Sequence, residues 1–497
     1  SSKAIQKYVQ QAINDFFPVT DPFDEDFIHK HELLSMSRAF SKIHFPENEE
    51  EYRNARRTLV YHEFYDYFKQ IGKQKDFHLR LPTDHKITSF DLSERYIARI
   101  PYPLTGAQQK VFQEIRTDLS SGYVMHRLLQ GDVGSGKTLL SFLAIAAVCA
   151  FGFQSAMMVP TEVLAKQHYE SLIKDSREYD LHLHPVLLTG SLTAALRKKV
   201  YQGIEDGEYN VIICTHAVFQ EKVSFRDLAL VITDEQHRFG VKQREALAGK
   251  GDAPHVLVMS ATPIPRTLTQ TLYADLSLSV MDEMPASRLP IKSCVIDAAM
   301  RKTAFDFITK EIAAGHQAYI ICPMVEDNED LDLESVTSYP GKYGGFFPPS
   351  VRIGVLHGQM KNADKNKIME AFAEKAIDLL ISTTVVEVGI NVPNATVIMI
   401  ENAERFGLAG LHQLRGRVGR GAAQSYCIFL NGSGKKEQNE RLEVLHRSND
   451  GFYIAEEDLR LRGPGDINGI RQSGELMFKV ADIIADHQIL TEVKDLF

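Results

Sequence analysis

Eleven short apolar runs, each closed by turn-forming or polar residues, constrain this chain more than any other feature. From Tyr123 onward VMHRLL, SAMMV, VIICT, LALVIT and HVLVMS alternate with stretches of helical spacing. The segment MPASRLP, with prolines at 285 and 290, interrupts the pattern, which then resumes as IKSCVI, QAYIICP, VRIGVLHG, DLLISTT, ATVIMIE and QSYCIFL. Continuous apolar runs of this length read as strands buried on both faces, and such strands pair in parallel with helices crossing over them. The expected fold class is therefore α/β, with two parallel-sheet domains in tandem.

The flanks read differently. In the first hundred residues Tyr52, Ala55, Leu59, Phe64, Tyr67, Phe68 and Ile71 recur at helical spacing among charged residues, which predicts a packing helix. Pro82–Pro103 reads as a connector and 326–350, acidic and then Gly/Pro/Tyr-rich, as a surface connection. The last 50 or so residues are again helical, interrupted by RGPGDINGIRQSG. At 497 residues with 44% hydrophobic and 24% charged side chains the chain is globular rather than disordered. Its net charge of −9 means that any nucleic-acid site must be a local concentration of cations. The five cysteines lie far apart with no C-x-x-C pair. That excludes a disulfide framework and common zinc spacings, and points to a reducing, cytoplasmic compartment. The longest apolar run, Leu139–Phe153, is too short to span a bilayer comfortably.

Three groups carry chemistry. Gly131-Asp-Val-Gly134-Ser135-Gly136-Lys137-Thr138 matches G-x-x-x-x-G-K-[ST] between an expected strand and an apolar helix. Glycines let backbone N–H groups turn onto phosphate oxygens, Lys137 supplies a point charge and Thr138 a hydroxyl for Mg²⁺. The strand LALVIT runs into Asp234-Glu235-Gln236-His237. Asp234 then stands where a hydrated Mg²⁺ needs an anion, and Glu235 where it can orient or deprotonate water. Gln413-Leu-Arg415-Gly-Arg417-Val-Gly-Arg420 interleaves arginine with glycine, which a merely solvated helix would not favour. A guanidinium that stays charged suits phosphate in an arginine-finger role.

The ordered set Gln108, GDVGSGKT, Pro160-Thr161-Glu162, Thr215-His216, DEQH, Ser260-Ala261-Thr262, Val388-Gly389 and QLRGRVGR resembles a superfamily 2 helicase or translocase. The tail from His446 to Gly474 is similar to a motif shared by the RecG family and transcription-repair coupling factors, and the "IHFP" of Ile43–Pro46 and "IENAERFGLAGLHQLRGRVGRGAAQSYC" resemble RecG proteins over nearly the whole chain. The resemblance implies a helical linker region (1–100), a first RecA-like ATP-binding domain (101–285), a second RecA-like domain (286–432) and a translocation motif with a helical hairpin (433–497). It implies Mg²⁺ and ATP as cofactors, with Gln108 on the adenine and Gly389 in the nucleotide site. Gln413, Arg417 and Arg420 match the catalytic second-domain motif. Thr161, Thr215, His357 and Thr384 would follow the DNA strand, His237 and Thr262 would transmit the nucleotide state, and Arg462 and Gln472 would couple closure to movement.

Branched and duplex DNA are the implied partners, with single-strand-binding protein in the full-length family, no membrane, and a monomeric state. The implied activity is a DNA-stimulated ATP hydrolase that translocates on duplex DNA and remodels forks and Holliday junctions. A coupling-factor module and an ATP-switched DNA clamp are the alternatives. Two departures stand out. Gly389-Ile390-Asn391 replaces the family's Gly-x-Asp, keeping hydrogen bonding but dropping the charge. No strand-rich barrel of the kind RecG proteins use as a wedge precedes the linker, so the chain reads as the motor without its wedge.

Overall fold

The computed structural model describes residues 2–16, 21–79, 81–215, 218, 222–234, 249–260, 269, 276–285, 288–326, 333–384, 392–433, 436–462, 478–483 and 485–496. Seven strands form the first sheet: β1 (His126–Gly131), β2 (Gln154–Met158), β3 (Pro185–Leu188), β4 (Val211–Cys214), β5 (Leu228–Thr233), β6 (His255–Ser260) and β7 (Ser277–Met281). They are all parallel, in the order β3-β4-β2-β5-β6-β1-β7. The second sheet holds β8 (Lys292–Asp297), β9 (Gln317–Ile321), β10 (Ile353–Leu356), β11 (Leu379–Ser382), β12 (Ala395–Ile400) and β13 (Tyr426–Asn431). It too is all parallel, in the order β10-β11-β9-β12-β13-β8. The α/β reading with two tandem parallel sheets holds.

Every run read from the sequence becomes a strand, and two strands went unread. PVLL of β3 and SLSVM of β7 are the two edges of the first sheet. Each has one face only partly covered, so polar or half-exposed residues alternate with buried ones and no continuous apolar run forms. The central strands β2, β4, β5 and β6 are buried at every position. The helix Lys137–Cys149 is enclosed from Leu140 to Cys149, which settles that apolar stretch as core. Among the described residues no helix is long and apolar enough to cross a membrane.

Two expected connections are part of the packing. Within Pro82–Pro103 lies the helix Asp91–Arg99, and Ile87, Phe90, Leu92, Tyr96 and Ile100 join the core of the first sheet. Of the 326–350 stretch, Glu334 and Tyr339 are buried. Arg301 forks onto the fully buried Glu401 at 3.0 and 2.9 Å, Tyr339 Oη donates to Glu401 at 2.5 Å, and Tyr343 Oη donates to Glu334 at 2.7 Å. A buried carboxylate is tolerated only when paired and hydrogen-bonded, and this segment supplies part of the pairing.

The chain divides into two compact units. One takes 79–266 and 276–461 and contains both sheets; the other takes 1–78, 267–275 and 462–497. In the second unit the helix Glu49–Leu79 buries Ala55, Leu59, Phe64 and Phe68 as the periodicity predicted, while Tyr52 is exposed. The C-terminal segment docks on this helix. Glu63 accepts the N–H groups of Lys479, Val480 and Ala481 at 2.7–2.9 Å, Arg56 forks onto Asp486 at 2.7 Å, and Phe478 meets Phe64 and Tyr67 edge-on.

Candidate active site

β1 ends at Gly131, and the chain turns through a loop into the helix Lys137–Cys149. Gly134 and Gly136 have φ of +85° and +94°, a region that side chains with a Cβ rarely enter. A Cβ at Gly136 would strike Gln108 Nε2, and one at Gly134 the Arg288 guanidinium. Lys137 is buried, its Nζ donating to the Gly131 and Asp132 carbonyls at 2.8 and 2.9 Å. Ser135 Oγ is buried with no hydrogen-bond partner among the described residues. A cradle closed to Cβ atoms, a buried ammonium resting on backbone carbonyls and an orphaned hydroxyl fit the phosphates of a nucleotide.

Gln108 belongs to this loop. Thr105 and Gln108 form a capping box at the start of the helix Gly106–Ser120, in which Gln108 Oε1 accepts the Thr105 N–H at 2.9 Å. Its Nε2 donates to the Ser135 carbonyl at 2.8 Å. Asp234 follows β5, its N–H on the Met158 carbonyl at 2.9 Å and its carboxylate 3.4 Å from His168 Nε2. Thr138 lies half-buried in the first helical turn. Both offer hard oxygen donors of the kind Mg²⁺ takes, and an ion completed by phosphate and water needs no protein cage. Among the described residues no cluster of three metal-ligating side chains occurs.

The second sheet supplies the other wall. Helix Leu408–Arg415 leads into Gly416, whose Cβ would lie 3.0 Å from Val133 Cβ of the loop. His412 Nε2 lies 2.6 Å from Asp132 Oδ1, and Arg415 Nη2 2.8 Å from His412 Nδ1. A guanidinium only donates, so Nδ1 accepts and the ring proton sits on Nε2, facing Asp132. Burial acts to raise the Asp132 pKa, but hydrogen bonds from His412 and the Val133 amide, with Lys137 nearby, hold it below the usual value. Arg415 Nη1 continues to the Leu445 and Ser448 carbonyls at 2.7 and 2.8 Å. Asp458 of the helix Gly451–Arg462 accepts the Leu408 and Ala409 N–H groups, capping the same helix at its other end. The phosphate loop is thus wired to the start of the tail motif.

Arg417 is buried, Arg420 Nε donates to the Gly416 carbonyl at 3.1 Å, and Gln413 is half-buried on the preceding helix. Thr161 caps the helix Glu162–Glu178 after β2, accepting the Leu164 N–H, and Thr215 follows β4. His357 follows β10 and Thr384 comes two residues after β11. All four therefore stand just beyond the carboxyl ends of neighbouring parallel strands, two in each sheet. Glu235, His237, Thr262, Gly389 and Gln472 lie outside the described residues, as does the side chain of Arg462.

Sequence reasoning passed over Asp132, His168, Arg288, His412 and Asp458. Asp132 occupied a free position of the loop pattern, His412 and Asp458 stood inside quoted motifs without a role, and Arg288 sat in a proline-bounded break. None carries a local signal, because each acts on a partner distant in sequence.

The DEAD/DEAH box helicase family matches residues 105–271, the helicase conserved C-terminal domain residues 301–422, and the C-terminal part of RecG domain 3 residues 448–496. The chain is 46% identical over 476 residues to an ATP-dependent DNA helicase RecG of Synechocystis sp., covering 95% of this chain and 57% of the relative. It is 42% identical over 495 residues to that of Bacillus subtilis, covering 98% and 72%. A solved structure of RecG bound to a three-way DNA junction matches with a TM-score of 0.76 and 39% identity, over 99% of this chain and 64% of that one. A structure of Mss116p bound to ssRNA and AMP-PNP matches with a TM-score of 0.55 at 19% identity, a likeness of fold alone. The chain thus spans between about half and three quarters of the length of these RecG relatives, and by sequence, domain order and fold it belongs to the RecG family of ATP-dependent DNA helicases.

Proposed function

We propose that this chain is an ATP-driven motor on duplex DNA, and that the protein it belongs to remodels branched DNA such as stalled forks and Holliday junctions in recombination and repair. The observation that carries this reading is the path Asp132–His412–Arg415–Ser448. It ties the phosphate loop through the second sheet's arginine-bearing helix to the tail, the connection a motor needs between its fuel and its track.

In this reading Lys137 and the loop amides hold the ATP phosphates, and Gln108 faces the adenine. Thr138 and Asp234 would hold Mg²⁺, which neutralises phosphate charge. Glu235 orients water, and Arg417 and Arg420, with Gln413, stabilise the charge that develops on the transferred group; an arginine of this kind is worth about 10³–10⁵ in rate. Thr161, Thr215, His357 and Thr384 grip strand phosphates without reading bases. Arg462 and Gln472 transmit closure to the duplex.

ATP turnover measured without DNA and with single strands, linear duplex and a forked junction, at one stated salt concentration, tests the proposal. Duplex stimulation that grows with DNA length supports a traveller, since only a moving motor senses length. Turnover indifferent to DNA, or undiminished in Lys137→Ala, removes the reading.

A further inference from the structure

We propose that Arg288, on the segment joining the two sheets, is a positioning residue that shapes the phosphate loop for ATP from outside. The inference rests on the reading of that loop as the ATP site. Arg288 Nη1 donates to the Val133 carbonyl, and its Nε donates to the Gly419 carbonyl at 3.2 Å. Its guanidinium stands where a Cβ on Gly134 would lie, so a side chain there would have to displace it. Burial acts to lower the Arg288 pKa and the nearby Asp132 carboxylate to raise it, while its hydrogen bonds go to the Val133 and Gly419 carbonyls and the Met284 sulfur. A half-buried guanidinium gives up part of its hydration to hold two loops together, which points to a task that apolar packing would not perform.

Peptide planarity supplies the task. In a trans peptide the C=O and the following N–H point in opposite directions. A donor that draws the Val133 carbonyl to the outside of the loop therefore turns the Gly134 N–H to the opposite side. Gln108 does the same two residues on, drawing the Ser135 carbonyl to itself and so turning the Gly136 N–H the other way. Two amides at glycines are thereby oriented by side chains rather than by the loop itself. Gln108 belongs to the same domain as the loop, whereas Arg288 reaches it from the connecting segment and also holds Gly419, between Arg417 and Arg420. Loop geometry thus depends on the position of the arginine-bearing segment.

The test is steady-state ATP turnover of the chain on duplex DNA, with binding of a fluorescent ATP analogue, for the parent, Arg288→Ala, Arg288→Lys and Lys137→Ala. Loss of a charged donor from a carbonyl predicts that Arg288→Ala raises KM and the analogue Kd roughly ten- to hundredfold. Its kcat at saturating ATP falls by a smaller factor than KM rises, because Gly419, between Arg417 and Arg420, loses its donor as well. A merely structural role would instead lower the active fraction, reducing kcat at unchanged KM. Lysine is a point donor that cannot fork onto both carbonyls, so Arg288→Lys is expected to fold and to keep a raised KM. An unchanged KM in both Arg288 variants overturns the proposal. Undiminished turnover in Lys137→Ala would instead show that the ATP-site reading itself is wrong.

Discussion

Replacing Gln108 by alanine separates two jobs that one amide can do at once. Oε1 is engaged by the Thr105 N–H and Nε2 by the Ser135 carbonyl, at 2.9 and 2.8 Å, and the side chain is only 3% exposed. A carboxamide has two N–H donors and two acceptor lone pairs, so one donor and one lone pair are left for a base. That pair complements the N6 donor and N7 acceptor of adenine but not guanine, whose O6 and N7 both accept. The alanine variant loses the loop contact for any nucleotide, about 0.5–1.5 kcal/mol, which is roughly a two- to tenfold rise in KM. ATP alone loses the base pairing as well, about 1–3 kcal/mol or a further 5- to 150-fold. KM for ATP and GTP, measured side by side on duplex DNA, is the assay. Parallel rises would refute adenine reading by Gln108, and an unmoved GTP value would refute its hold on the loop.

Gln472→Ala should leave DNA-stimulated turnover intact while weakening triplex displacement, and displacement equal to the parent would remove the tail from the mechanism. Glu401→Ala removes the carboxylate that Arg301 forks onto and leaves the guanidinium its 3.3 Å pair with Glu334, so it should cost about 1.5–3 kcal/mol of stability, read by denaturant unfolding of the chain; an unchanged stability would mean that Glu334 takes over the pairing in full. The Arg352 fork at 2.7 and 2.9 Å holds the Asp378 carboxyl below the ordinary aspartate value. A carboxylate with a lowered folded pKa adds stability that is complete above the unfolded value and is lost as pH falls through the folded one. Asp378→Asn should therefore reduce the acid dependence of unfolding in that window and leave neutral-pH turnover unchanged; an identical acid limb in both proteins would contradict this.

What the sequence disclosed tracks how far each signal reaches along the chain. LALVIT and ATVIMI are central strands, buried on both faces, and an apolar run suffices to find them. PVLL and SLSVM are edges, where one face is half-covered and the run is diluted. Gly131 to Thr138 was legible because the phosphate-binding chemistry sits in eight consecutive residues. Two residues that hold that loop from afar were not: His412 stands 280 positions from Asp132, and Arg288 155 positions from Val133. Tyr96 shows the same limit in the core, since Pro82 and Pro103 around it gave a turn signal while its packing partners came from another segment.

The docking of 478–483 and 485–493 onto the helix Glu49–Leu79 sets an order of events during synthesis. Arg56 and Asp486 are 430 positions apart, and Glu63 and Val480 417. At about 5–20 residues per second, roughly 20–80 s pass between the emergence of that helix and the arrival of its partner segment. Both sheets emerge in that interval, each from strands contained in one stretch of chain. The face carrying Phe64 and Tyr67 must wait for Phe478, so it stays uncovered while both sheets form and is open in that interval to capture by another nascent chain.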